Sequence, residues 1–167
     1  MIEVFVGIGS NIDPARHIRM ALDALAESFG PLRQSTVWQS RAVGFEGADF
    51  HNLVVGFETD LDVQALDAAL DAIETACGRN REAPRFASRT VDLDLLLYGD
   101  AVIDAPGLEL PRGEILKYAF VLRPLAEIAG DRRHPETGRT FAEHWREFET
   151  DEPPMVAISC SWPGLLM

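Results

Sequence analysis

An α+β fold is predicted for this 167-residue chain, and three observations predict it. Two segments carry apolar residues at helical spacing, and each ends at a glycine. Short β-rich runs precede, separate and follow them. The run between the helices is double, so the order is β-α-β-β-α-β, the ferredoxin-like plan, and not the regular alternation of a parallel sheet.

The first strand is Ile2 to Gly7, mostly apolar and suited to the sheet centre. Gly7-Ile8-Gly9-Ser10-Asn11 reads as a tight turn; it lacks the third glycine and the βαβαβ context of a dinucleotide fold. Asp13 offers an N-cap with Pro14 at the first helical position. Ile18, Ala21, Leu22, Leu25 and Phe29 then form one apolar stripe, closed by Gly30. Leu32 to Gln39 and Leu53 to Thr59 read as strands, joined by a loop over Ser40 to Asn52. A second helix starts near Asp62, buries Leu66, Ala69, Leu70, Ile73 and Cys77, and stops at Gly78. Val91 to Tyr98 is the next strand. Beyond Gly99 come a loop to Pro111, a short helix over Phe120 to Ile128, and a tail of residues 131–167. The prolines at 153, 154 and 163 predict irregular structure in that tail. The whole is read as one domain, 1–167.

Composition narrows the function. A hydrophobic fraction of 47% and a charged fraction of 25% suit a soluble globular chain. A net charge of −12 argues against nucleic acid or an anionic membrane as partner. Cys77 and Cys160 have no metal-ligand or redox spacing, and Cys77 falls at a helical core position, which predicts a buried free thiol. No run is long and apolar enough to span a bilayer, and no signal peptide precedes the first strand, so a cytoplasmic setting is expected.

Against that acidic background, Arg79, Arg81, Arg85 and Arg89 lie within one short stretch that leads into Asp92-Leu93-Asp94. On a strand, Asp92 and Asp94 share a face with Cα atoms about 6.5–7 Å apart. Two carboxylates so placed repel unless a cation sits between them. Flanking arginines suggest that the cation arrives with phosphate. The acid pair alone also fits a hydrated strand; joined to the arginines it predicts a metal–nucleotide site.

Arg85-Phe86-Ala87-Ser88-Arg89-Thr90-Val91-Asp92-Leu93-Asp94-Leu95-Leu96 closely resembles the signature of the 6-hydroxymethyl-7,8-dihydropterin pyrophosphokinase family of folate biosynthesis. Gly7-Ile8-Gly9-Ser10-Asn11, Phe50-His51-Asn52, Ile73-Glu74, Gly78-Arg79-Asn80-Arg81 and Phe120-Val121-Leu122-Arg123-Pro124-Leu125 agree in order and spacing, over about residues 2–130. The resemblance implies a ferredoxin-like core and transfer of pyrophosphate from ATP to a pterin hydroxymethyl group, releasing AMP. It implies that Asp92 and Asp94 bind two Mg²⁺ ions on the ATP phosphates. Arg79, Arg81 and Arg89 would neutralise phosphate charge, with Arg79 and Arg89 catalytic beside the acid pair. Arg85 and Phe86 would lie in a loop that closes over the substrates, and Glu74 on the nucleotide side. Phe50 and Phe120 would sandwich the pterin, Asn52 would read its amide-like edge, and the loop from Ser40 through Val43 and Gly44 would bond the same edge. A monomer binding ATP and a pterin, with no nucleic-acid or membrane partner, is expected.

Five positions depart from the family pattern. Phe86 stands where tryptophan is common. Ser40-Arg41 replaces Thr-Pro, keeping the hydroxyl while losing proline's fixed φ. Arg112 replaces a histidine and could still meet a phosphate. Tyr118 replaces an arginine; one lost charge-assisted phosphate contact costs about 1.5–3 kcal/mol unless compensated. These changes leave two alternatives open: a paralogue acting on another pterin, such as a methanopterin-type intermediate, and a non-catalytic pterin- or nucleotide-binding protein. The acidity and the missing aromatic strand motif disfavour an RNA-binding module.

Overall fold

A computed structural model describes residues 1–41, 49–78 and 90–158. The α+β class is borne out. In chain order the elements are β1 (Ile2–Ser10), α1 (Pro14–Phe29), β2 (Arg33–Gln34), β3 (Val37–Ser40), β4 (Phe50–Thr59), α2 (Val63–Ala76) and β5 (Asp92–Tyr98). Then follow β6 (Ile103–Ala105), β7 (Leu108–Leu110), a 3-10 turn at Gly113–Leu116, α3 (Ala119–Ala129), α4 (Phe141–Arg146) and β8 (Val156–Ile158). The main sheet runs β5-β1-β4-β3-β8, with β2 also on β4, and every pairing in it is antiparallel. The β6–β7 hairpin stands apart.

The two helices form where the apolar period places them. Ile18, Ala21, Leu22 and Leu25 are buried along α1, and Gly30, at φ 84°, returns its N–H to Ala26. Asp13 precedes α1 as expected, but in the left-handed region at φ 42° and without a side-chain cap, so its carboxylate does not serve the first turn. Asp62 does cap α2, accepting the Ala65 N–H at 2.8 Å. Ala69 is only half-buried, and Cys77 is a buried free thiol.

Several strand boundaries differ from the sequence reading: β1 runs on through Gly9 to Ser10, and β6 and β7 form within the segment expected as a loop to Pro111. The strand expected over Leu32 to Gln39 is split, because Ser35 turns its hydroxyl into the ladder: Val54 N–H donates to Ser35 Oγ at 2.9 Å, and Ser35 N–H donates to the Val54 carbonyl at 2.9 Å. Phe50, His51 and Asn52, read as loop, begin β4. In the tail expected to be irregular, Thr140 and Glu143 form a reciprocal cap that starts α4, and β8 joins the sheet beside β3.

The sheet separates two cores. Val4, Val6, Ile8, Leu53, Val55, Leu93 and Leu95 pack with α1 and α2 on one face. Phe5, Val54, Leu96 and Leu97 pack with Val121, Leu122, Leu125 and Phe141 on the other. Because α3 and α4 cover that second face at one end, its opposite end carries the polar residues.

Candidate active site

Residues directly paired in an antiparallel sheet point to the same side. Asp92 pairs with Gly9, and Gly9 pairs in turn with Asn52. One step along, Asp94 pairs with Gly7 and Gly7 with Val54. Val54 belongs to the core beneath α3, so Asp92, Asp94 and Asn52 lie on that face, away from α1 and α2. Alternation therefore places the two acids on one side of β5, as expected, and both are half-buried.

At one position between them a side chain would displace a neighbour. A Cβ on Gly9 would stand 2.6 Å from Asn52 Oδ1, whereas one on Gly7 would meet only Leu96, at 3.6 Å. Gly9 thus leaves the Asn52 amide its place between β1 and Phe50; the motif read as a turn is the last part of β1.

Arg112 stands beside Asp94. Its backbone N–H donates to the Leu96 carbonyl at 3.0 Å, fixing it against β5. Its Nη2 lies 3.5 Å from Asp94 Oδ1, while Nη2 and Nε donate to Glu114 Oε1 at 2.9 and 3.1 Å. Burial works against the guanidinium charge, but Asp94, Glu114 and Glu109 outweigh it and hold its pKa above the ordinary arginine value. On α2, burial and then Asp71 push the Asp67 carboxyl up, and Arg112 partly offsets them.

Glu74, expected on the nucleotide side, is 3% exposed. Its Oε2 accepts the Leu93 N–H at 3.1 Å, so it supports the strand segment that carries the acid pair. Ser10 anchors the other approach to β5, donating from Oγ to the Thr90 carbonyl at 2.5 Å.

Of the residues expected to meet a pterin, Asn52 is 8% exposed and its Nδ2 donates to Ser40 Oγ at 3.5 Å. Phe50 precedes it by two residues in β4 and lies against Gly9. Phe120, in the first turn of α3, stacks on Tyr118 with centroids 4.9 Å apart and planes 19° from parallel. Tyr118 therefore supports an aromatic surface where the family pattern has a cation. Arg79, Arg81, Arg85, Phe86, Arg89, Val43 and Gly44 lie outside the described residues.

Sequence reasoning missed Gly9, Glu109, Glu114 and the stacking of Tyr118. The first was legible only as a turn former. The others act through contacts that no local pattern encodes.

This arrangement belongs to the pyrophosphokinase class. A sequence model of the family described as 7,8-dihydro-6-hydroxymethylpterin-pyrophosphokinase matches residues 5–130, and the chain belongs to that family. The 2-amino-4-hydroxy-6-hydroxymethyldihydropteridine pyrophosphokinase of Pseudomonas aeruginosa is 39% identical over 145 residues, 84% of this chain and 88% of that protein. Its namesake from Haemophilus influenzae is 33% identical over 154 residues, 86% of this chain and 96% of that one. The folic acid synthesis protein fol1 of Pneumocystis carinii is 31% identical, but this chain spans only 20% of its length. Among solved structures, a Plasmodium falciparum HPPK-DHPS superposes with a TM-score of 0.72 at 11% identity, over 88% of this chain and 43% of that one. That likeness concerns the fold.

Proposed function

We propose that this chain transfers pyrophosphate from ATP to the hydroxymethyl group of 6-hydroxymethyl-7,8-dihydropterin, releasing AMP, in folate biosynthesis. One observation carries the reading: Asp92, Asp94 and Asn52 share a sheet face within a family-matched segment, with Gly9 and Gly7 between them. Asn52 and Asp92 are two strand spacings apart, roughly 10 Å. A pterin edge held at Asn52 therefore directs its hydroxymethyl arm toward the acids.

The donor set fits magnesium. Two half-buried carboxylates give hard oxygen ligands, and a small divalent ion completes its shell with phosphate oxygens and water. Bound there, Mg²⁺ supplies neutralisation of phosphate charge. Asp92 and Asp94 hold it, and two ions are expected. Arg79 and Arg89 stabilise charge on the transferring group; Arg81, Arg85, Phe86 and Arg112 bind the nucleotide. Glu74 acts through β5 as a positioning residue. Ser40, Val43, Gly44, Phe50, Asn52 and Phe120 bind the pterin. The hydroxymethyl oxygen bonds to the β-phosphorus and gives up its proton to solvent as the bond to the α,β-bridging oxygen breaks, and AMP leaves with that oxygen.

The strand order β5-β1-β4-β3 with α1 and α2 on one face supports a ferredoxin-like core, in a single domain over 1–167. A cytoplasmic monomer without nucleic-acid or membrane partners fits the net charge of −12. It fits also exposed large apolar side chains dispersed over β1, α1 and β8, such as Ile2, Met20 and Val156. No helix among the described residues is long and apolar enough to cross a membrane.

Incubation with ATP, Mg²⁺ and the pterin, followed by nucleotide chromatography, tests the reading. AMP should form in step with a pterin diphosphate; ADP, or binding without turnover, would reject it. Asp94→Ala should abolish turnover and leave the circular dichroism spectrum unchanged.

A further inference from the structure

We propose that Arg112 is a built-in counter-ion for Asp94 that keeps a divalent cation from binding until the nucleotide arrives, and then passes its charge to the nucleotide phosphates. The proposal rests on the reading of Asp92 and Asp94 as the metal pair.

Three observations carry it. The guanidinium is held in place: the Arg112 N–H is bonded to Leu96, and Nη2 and Nε share Glu114 Oε1 at 2.9 and 3.1 Å. Glu114 sits in the 3-10 turn that begins at the next residue, and Glu109 accepts the N–H of Gly113 at 2.8 Å, so the segment around Arg112 is tied on both sides. The contact with Asp94 is looser, 3.5 Å from one nitrogen to one oxygen. Glu114 thus anchors the positive charge, and Asp94 feels it without being locked to it by a two-pronged pair.

The physical consequence is antagonism with a free ion and synergy with a complexed one. A divalent cation entering alone would share Asp94 with a fixed positive charge a few ångströms away, and like charges in a half-buried site repel strongly. A cation arriving on a polyphosphate brings negative charge that gives the planar guanidinium a new two-pronged partner. Metal and nucleotide are then coupled, each raising the affinity of the other. A residue at position 112 without charge would remove the antagonism and the phosphate contact together.

The test uses Mn²⁺ as probe, with the free ion followed by electron paramagnetic resonance, on the full chain with and without ATP. Wild type, Arg112→Ala, Arg112→Gln, Arg112→Lys and Asp94→Ala are compared, and folding is checked by circular dichroism. Arg112→Gln retains a donor for Glu114 should the alanine variant fail to fold. Both neutral variants should bind Mn²⁺ alone at least tenfold tighter than wild type, and MnATP at least tenfold weaker. Arg112→Lys should stay within about threefold of wild type for Mn²⁺ alone. A merely structural residue would move both affinities in the same direction. Unchanged or weakened binding of Mn²⁺ alone in the neutral variants would overturn the proposal. If Asp94→Ala bound MnATP as wild type does, the metal assignment itself would fall, and this proposal with it.

Discussion

At the scale of single residues, the site is shaped as much by what is missing as by what is present. Gly9 is buried between two strands, and its hydrogen occupies space that any larger group would contest with the Asn52 amide. Gly9→Ala must push Asn52 from the position from which it would read the pterin. Overpacking of this kind costs about 1–3 kcal/mol, and here the nearest atom to be displaced belongs to the Asn52 amide. The pterin KM should rise roughly tenfold or more, with the ATP KM within twofold of wild type. Equal rises in both constants would show general damage to the sheet and reject the assignment. Glu74 illustrates the reverse case, a charged side chain buried for the sake of a neighbour. Truncation in Glu74→Ala leaves the Leu93 N–H without this acceptor, a loss of about 1–3 kcal/mol. The denaturation midpoint should fall, and kcat with it, because the acid pair flanks that bond. An unchanged kcat in folded protein would remove the positioning role.

At the scale of elements, α3 links Phe120, proposed to meet the pterin, to the C-terminal segment. Arg123, three residues after Phe120 and so near it on the helix surface, places its guanidinium 4.1 Å from the Trp38 ring centroid and 5.3 Å from that of Trp145. A β3 residue and an α4 residue thus grip one cation from the middle of α3. Pro124 removes a backbone donor next to it, which makes side-chain bracing more valuable. Trp145→Ala should cost about 1–2 kcal/mol of stability, read from urea midpoints, and raise the pterin KM more than the ATP KM. Equal KM values in mutant and wild type would show that α4 braces nothing of functional consequence. Trp145 lies beyond the family-matched segment, and the prolines around 153 disguised how much structure follows α3. The Thr140–Glu143 cap was legible in principle, as Thr-x-x-Glu before a short helix, but six residues give too little apolar period to support it. By contrast α1 and α2 were readable nearly to their ends, because an apolar stripe and a following glycine agree in both, with Pro14 opening α1 and Asp62 capping α2. Ser35 deceived the reading of one strand as continuous, since a hydroxyl that substitutes for a backbone group leaves alternation intact. The acid pair was readable because a period of two needs no tertiary information. Its tie to Arg112 was not, since the sequence does not show which way a guanidinium 18 positions away will turn.

For the whole molecule, the sheet face that carries the acids also carries a histidine-containing turn, which closes the fold against the core beneath α3. His134 is 5% exposed, and its Nδ1 accepts the N–H groups of Glu136 and Thr137 at 3.1 and 3.3 Å. Its ring lies edge-on to Phe141 at 5.9 Å and to His144 at 5.7 Å, and Phe141 is fully buried in the core beneath α3. Burial, and then the neighbouring His144, hold the His134 pKa below its ordinary 6.5, with Glu136 opposing. The neutral ring is the form that can accept those two hydrogen bonds. The unfolded chain takes up its proton near pH 6.5 and the folded chain only at lower pH, so between these values the unfolded state binds more protons. Stability from this group is therefore complete above about pH 6.5 and is lost as the pH falls through that value toward the folded pKa. His144, held low by burial and then Arg139, and His51, held low by burial, add to the same slope. Thermal unfolding should show Tm falling by roughly 2–4 °C between pH 7.5 and 5.5. His134→Gln, which cannot gain a proton there, should start from a lower Tm at pH 7.5 and show a flatter dependence. An equally steep fall in that variant would place the titrating groups elsewhere and separate this turn from the acid sensitivity of the fold.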